Sequence, residues 1–309
     1  MKTMYNRREA LKISLLAGIG LSFQSFTNPL NTNEKVISRI IPSTGEALPV
    51  VGLGTWQTFD VGNALEQREI LSQVLLEMYR LGGTVIDSSP MYGSSEKVVG
   101  DLTSKLDFKN KLFYATKVWT SGKQAGIRQM EASMQKMRQA KMDLIQIHNL
   151  TDWKTHVKTL KDWKEQQKIR YWGITHYVDS SHSSLEEIIK SERPDFVQFN
   201  YSIRSRHAEE SLFETARKYN TATIINQPYE SGSLFRLVRG KEIPQWAKEQ
   251  DINSWGQYFL KFILSNENVS CVIPGTSKPH HMIDNMGAGL GKMPNGSLRS
   301  KMLSHLKTL

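Results

Sequence analysis

A chain of 309 residues, 39% hydrophobic and 9% aromatic, is long enough to bury a sizeable core in one large α/β domain or two smaller ones. Its formal net charge of +10 is spread along helix-period segments, with no basic tract and no nucleic-acid-binding signature, so nucleic acid is not expected as a partner. The single cysteine, Cys271, lies in an apolar strand-like run; an internal disulfide is excluded, no Cys/His metal spacing is present, and the residue reads as a small core side chain.

The N-terminus has a different composition from the rest. A charged start containing Arg7, Arg8 and Lys12 precedes the apolar run at residues 13–23, which a polar stretch then follows. That run is too short and too glycine-rich for a membrane span of about 20 residues. Its layout is that of an export signal. The paired arginines followed by Leu11-Lys12 resemble a twin-arginine signal, which implies transport of the folded protein to the periplasm. The chain is therefore expected to divide into an export leader at 1–30 and a folded domain at 31–309, meeting a membrane only transiently during export. A leader without a clean small-x-small cleavage site keeps a cytoplasmic location as the alternative.

After residue 35 short apolar runs alternate with helix-period segments. Residues 36–41 and 47–51, joined around Thr44-Gly45, read as an opening hairpin. A first barrel-type strand at 50–55 is followed by a helix at 66–81. The next pairs are strand 84–87 with helix 95–106, 112–118 with 124–139, 143–148 with 153–167, 169–175 with 183–190, and 196–200 with 209–219. A seventh strand at 223–227 leads through a long excursion to a helix at 254–264. An eighth strand at 269–274 precedes a helix at 279–286, a loop at 289–296 and a helical tail. Strict alternation means a parallel sheet with helical crossovers. Eight such units fit a closed (β/α)8 TIM barrel, an α/β fold, here with an N-terminal β-hairpin and a C-terminal helical tail. An open doubly wound sheet is disfavoured, because Val51-Gly-Leu-Gly-Thr-Trp56 lacks the third glycine and no helix follows it directly.

In a barrel the C-terminal strand ends gather at one face and supply the site. Those ends carry Asp87 and Tyr92 after the second strand, Lys117 at the third and His148 at the fourth. Each alone has an ordinary structural explanation; together on one rim they suit one reaction. A free tyrosine, with a pKa of about 10, is a poor acid at neutral pH, and a nearby ammonium is expected to lower that value. A carboxylate paired with the lysine keeps it charged and in place. A neutral imidazole can donate a hydrogen bond to a carbonyl oxygen. Such a set protonates a carbonyl oxygen while hydride arrives at carbon.

With these residues the sequence resembles the aldo-keto reductase superfamily. The resemblance rests on Val51-Gly-Leu-Gly-Thr-Trp56, Asp87-x4-Tyr92-Gly93-x2-Glu96, Thr116-Lys117, Asp143-Leu-Ile-Gln-Ile-His-Asn149, Trp172-Gly173-Ile174, Val197-Gln198 and Ile273-Pro-Gly-Thr-Ser-Lys-Pro279, in family order across the chain after residue 35. It implies an NAD(P)-dependent oxidoreductase that reduces an aldehyde or ketone to an alcohol, or the reverse, with Tyr92 as general acid, Lys117 and Asp87 as its tuning pair, and His148 orienting substrate. NADP is the expected cofactor and NAD the alternative.

For the cofactor, the resemblance implies contacts from Gly54, Thr55, Trp56 and Asp87, from Thr175 and His176, from Gln198 to the nicotinamide carboxamide, and from Asn226, Gln227 and Ser231. At the adenosine end it implies Gly275, Thr276, Ser277, Lys278, His281, Asp284 and Asn285. Three positions depart from the family pattern. His176 stands where an asparagine is usual, Asn226 where a tyrosine stacks on nicotinamide, and His281 where many members carry an arginine. Trp56, Trp119 and His148 are expected to line the pocket of a small carbonyl or alcohol substrate with an apolar or sugar-like face. No metal site is implied. The alternatives are a nicotinamide-binding, redox-sensing partner subunit with little turnover, or a barrel isomerase or lyase without hydride chemistry. Nothing in the sequence sets the oligomeric state or names the substrate.

Overall fold

The computed structural model describes residues 36–309; the expected export leader lies outside them. The chain opens with an antiparallel hairpin, β1 (Ser38–Ile40) and β2 (Ala47–Pro49). Eight parallel strands follow: β3 (Leu53–Gly54), β4 (Val85–Asp87), β5 (Phe113–Val118), β6 (Met142–His148), β7 (Ile169–Thr175), β8 (Phe196–Asn200), β9 (Ala222–Asn226) and β10 (Cys271–Val272), each bonded to the next. Between them run α1 (Leu65–Arg80), α2 (Ser95–Thr103), α3 (Lys123–Lys136), α4 (Trp153–Glu165), α5 (His182–Glu192), α6 (Leu212–Lys218), and then α7 (Ser233–Leu237), α8 (Gln245–Lys248) and α9 (Trp255–Leu264) before β10. Two helices end the chain, α10 (Pro279–Gly287) and α11 (Gly296–Leu306). β4, β5 and β6 are buried along their whole length, as strands covered on both faces must be.

The sheet closes on itself between the first and last barrel strands. Gly52 N–H donates to the Val272 carbonyl at 2.9 Å, Val272 N–H to Val50 at 2.9 Å, and Gly54 N–H to Pro274 at 3.3 Å. The strands expected at 50–55 and 269–274 are each regular for only two residues, and the seam explains why. Pro274 has no N–H to donate, and Gly54 and Gly275 approach so closely that a Cβ on Gly54 would lie 2.8 Å from the Ile273 carbonyl oxygen.

Elsewhere the expected elements appear with small shifts of their ends. The excursion after β9 holds the short helices α7 and α8, and α6 starts at Leu212 because a 3-10 turn at His207–Glu209 precedes it. The hairpin seals the N-terminal end of the barrel: Ile41 and Leu48 share one apolar cluster with Val85, Phe113, Tyr171, Phe196 and Ala222. Cys271 belongs to that cluster, as expected of a core thiol. With one end sealed, the opposite end, where β4 to β9 terminate, is free for chemistry.

Gly54→Ala is expected to destabilise the protein by about 1–3 kcal/mol, because the new methyl would force the closing strands apart. Urea denaturation of the variant against the wild type measures it.

Candidate active site

The site begins with a buried charge. Lys117, fully enclosed on β5, donates from Nζ to Asp87 Oδ2 at 2.5 Å and to the Ser88 carbonyl at 2.7 Å. β4 and β5 are neighbours in the sheet, so the two side chains meet inside the barrel without any loop having to move. Burial opposes the ammonium, but Asp87 and then Tyr92 outweigh it, and its pKa is raised. Such a pair survives only if its remaining bonding capacity is filled. Here Asp87 Oδ1 accepts amide hydrogens from Gln146 and Gln198, each at 3.1 Å.

From Asp87 the hydrogen bonds continue along the rim. Gln198 Nε2 faces the carboxylate, so its Oε1 is left to accept from Thr175 Oγ1 at 3.2 Å and from Asn226 Nδ2 at 3.4 Å. Asn226 Nδ2 also donates to the His176 carbonyl at 3.3 Å, and Asn226 Oδ1 is buried with no partner among the described residues. Turning the Asn226 amide over would set its oxygen against two others, so the orphan acceptor follows from the network itself.

Tyr92 lies in the turn after β4, its backbone N–H bonded to the Ser89 carbonyl at 3.0 Å. Lys117 Nζ is 5.2 Å from its ring centroid, and the His148 ring meets it edge-on with centroids 5.8 Å apart. The lysine pulls the phenol toward acidity, as expected from sequence, but it does not bring the pKa below the ordinary value. Burial raises the phenol pKa above its ordinary 10, Asp87 adds to that, and Lys117 offsets only part of it. His148 is shifted the other way: burial, then Lys117 and His176, hold its pKa down at about 2, so the imidazole is neutral. Ser89 Oγ lies 3.0 Å from its Nδ1.

The other expected residues fall into three groups. Thr55 and Gly54 belong to the frame: Thr55 Oγ1 donates to the Asp87 carbonyl and to Ser88 Oγ, and Gly54 sits on the barrel seam facing Gly275. Trp56 and Trp119, just beyond β3 and β5, are 47% and 42% exposed at the mouth. The loop after β9 is strained, with Gln227, Glu230 and Ser231 at φ of 48°, 49° and 53°, which is unusual for non-glycine residues and frequent at ligand sites.

At the start of α10, Ser277, Lys278 and His281 are exposed and Pro279 opens the helix, a setting suited to phosphate. Thr276 folds inward and accepts the Lys278 N–H. Asp284 and Asn285 are engaged within the fold. Asp284 accepts from Ser254 Oγ at 2.6 Å and Gln257 Nε2 at 2.9 Å, and Asn285 Oδ1 accepts from the Tyr229 hydroxyl at 2.6 Å.

Ser89, Gln146 and Ser88 are site residues not singled out in the sequence. Gln146 was within reach of sequence reasoning, because it lies two positions before His148 and so shares its face of β6. Ser89 carried no such signal; it matters only through the ring that the fold brings to it.

Residues 50–295 match the aldo/keto reductase family. The chain belongs to that family. It is 26% identical over 251 residues to a methylglyoxal reductase, YeaE, of Escherichia coli strain K12, covering 78% of this chain and 86% of that one. It is 27% identical over 269 residues to an NADH-specific methylglyoxal reductase of the same organism, covering 76% of this chain and 77% of the relative. Among solved structures, an aldo-keto reductase from Klebsiella pneumoniae in complex with NADPH superposes with a TM-score of 0.72 at 23% identity, over 88% of this chain and 95% of that one. A holo aldo-keto reductase from Bacillus halodurans gives 0.69 at 18% identity, over 88% and 96%. The fold is thus that of an NAD(P)-dependent aldo/keto reductase, and the enzyme is an oxidoreductase that acts on carbonyls with a nicotinamide cofactor.

The residues present fit that cofactor. A buried acceptor without a donor costs about 1–3 kcal/mol, and Asn226 Oδ1 is such an acceptor at the end of the Asp87 network. Gln198, by contrast, has both ends of its amide in use within the fold.

The two titrations set the pH dependence. Tyr92 has its pKa raised above 10 and stays protonated through neutrality; His148, near 2, stays neutral. Carbonyl reduction at saturating NADPH is therefore expected to show no loss of kcat between about pH 5 and 9 and to fall only as the phenol ionises above pH 10. A steady-state pH–rate profile reads this directly.

Proposed function

We propose that this protein is an NADPH-dependent reductase of small aldehydes or ketones in which Tyr92 supplies the proton and His148 orients the carbonyl. The observation that carries the reading is the pairing of a protonated, half-buried phenol with a neutral imidazole edge-on to it, above a buried Lys117–Asp87 pair. When bound, the cofactor supplies hydride to the carbonyl carbon.

The protein's own part is electrostatic and positional. Tyr92 O–H gives its proton to the oxygen as negative charge develops there. Lys117, fixed by Asp87 and the Ser88 carbonyl, then stabilises the phenolate left behind. Charge on Lys117 together with burial keeps a second proton off His148, so the ring acts as a neutral hydrogen-bond donor. Asn226 would hold the nicotinamide carboxamide through Oδ1, in place of Gln198, and the Lys278–His281 segment would hold phosphate. In the reverse direction Tyr92 must first lose its proton, which its raised pKa opposes, so alcohol oxidation is expected to be slow at neutral pH and to speed up as the pH rises.

Methylglyoxal is the first substrate to assay, since two relatives are named as its reductases. The exposed Trp56 and Trp119 suit a substrate that also offers an apolar or sugar-like face. Tyr92→Phe is expected to lower kcat for methylglyoxal by at least about 100-fold while leaving the NADPH dissociation constant within a few-fold. Wild-type turnover by the variant would refute the assignment. Absence of multiple turnovers by the wild type with added NADPH would favour a nicotinamide-binding subunit instead.

We further infer export to the periplasm, on the strength of Arg7, Arg8 and the apolar run that follows them. Replacing both arginines by lysine is expected to leave the protein in the cytoplasm of an expressing bacterium, as read by fractionation. Equal periplasmic yields from the two forms would rule out the twin-arginine route.

A further inference from the structure

We propose that Ser89 is a positioning residue that fixes His148 in the tautomer carrying its single proton on Nε2. The inference rests on the carbonyl-reductase reading for its purpose, but the tautomer itself follows from hydrogen-bond accounting.

Ser89 is fully buried in the turn that joins β4 to Tyr92. Its Oγ accepts the Met91 N–H at 3.3 Å and lies 3.0 Å from His148 Nδ1. Among the described residues, Nδ1 is the one acceptor within reach of the Ser89 hydroxyl proton. Buried hydroxyls find an acceptor. If Nδ1 bore the hydrogen and donated it to Oγ, the serine proton would be left buried without a partner. The bond therefore runs from Ser89 O–H to an unprotonated Nδ1.

A neutral imidazole has one N–H, so that hydrogen sits on Nε2. Burial and the nearby Lys117 keep the ring neutral, which removes the doubly protonated form from consideration. An imidazole with the opposite tautomer would present a lone pair from Nε2 and repel a carbonyl oxygen instead of binding it.

The same residue also holds the proton donor. The Ser89 carbonyl accepts the Tyr92 backbone N–H at 3.0 Å, and Pro90 fixes φ between them. Ser89 thus ties the chain at Tyr92 to the ring of His148 through its carbonyl on one side and its hydroxyl on the other. Sequence alone shows a serine in a turn; the tautomer appears only when β4 and β6 bring positions 89 and 148 together.

The test uses the full-length protein with 15N-labelled histidine. Long-range 1H–15N correlation spectra are expected to show His148 with a protonated Nε2 and an unprotonated Nδ1. Ser89→Ala is expected to give a mixture of tautomers and to lower kcat by about tenfold or more, with the NADPH dissociation constant, read by fluorescence, unchanged within twofold. Ser89→Thr, which keeps the hydroxyl, is expected to restore both the tautomer and kcat. A protonated Nδ1 in the wild type would overturn the proposal, as would a Ser89→Ala variant that keeps the pure Nε2–H form and wild-type kcat. The wild-type spectrum decides even where Ser89→Ala does not fold. If the protein reduces no carbonyl at all, that failure appears in the rates, and the tautomer is still read from the spectrum.

Discussion

Enclosing a lysine and an aspartate together is costly, because both charges lose their water. In this barrel the cost is met by geometry. Lys117 reaches both Asp87 and the Ser88 carbonyl, and the other oxygen of Asp87 takes hydrogens from two glutamine amides. The negative charge then dictates how each later amide points. Gln198 must turn its nitrogen inward, so its oxygen faces outward. Asn226 must turn its nitrogen to that oxygen, so its own oxygen is left over. A charge on β4 thereby presents a free acceptor on β9, on the far side of the barrel mouth, with no charged group beyond the original pair.

The pair also sets the two groups proposed to meet substrate. A cation beside a phenol and an imidazole pulls both toward their less protonated forms, yet the outcomes differ. For Tyr92 burial is the larger effect, and the phenol keeps its proton. For His148 burial and the cation act in the same sense, and the ring is left neutral. The result is a proton store beside a neutral hydrogen-bond donor, which is the arrangement that carbonyl reduction needs. An isomerase built on the same frame would need a base at neutral pH, and neither residue supplies one.

Much of this was legible in the sequence because barrels impose a rule. Polar residues at C-terminal strand ends share a face, so Asp87, Tyr92, Lys117 and His148 group together on sequence alone. The eight strand–helix units were legible for the same reason, each strand being a short apolar run between helix-period segments. What stayed hidden depends on side chains meeting across the barrel. The direction of the Tyr92 shift turns on the balance of burial against one cation. The saturation of Gln198 turns on Asp87, and the engagement of Asp284 and Asn285 turns on Ser254, Gln257 and Tyr229, far off in sequence. The seam between β3 and β10 looks in the sequence like two longer strands, because glycine and proline at a closure resemble ordinary strand ends until the partner strand is in place.

The central claim is that the Lys117–Asp87 pair serves the chemical step and not merely the fold. Single-turnover stopped flow on Lys117→Met, mixed with methylglyoxal after loading with NADPH, isolates that step. Cofactor binding close to wild type, with hydride transfer slowed by about 100-fold or more, is the predicted result. Hydride transfer at the wild-type rate from a folded, NADPH-bound variant would contradict the account.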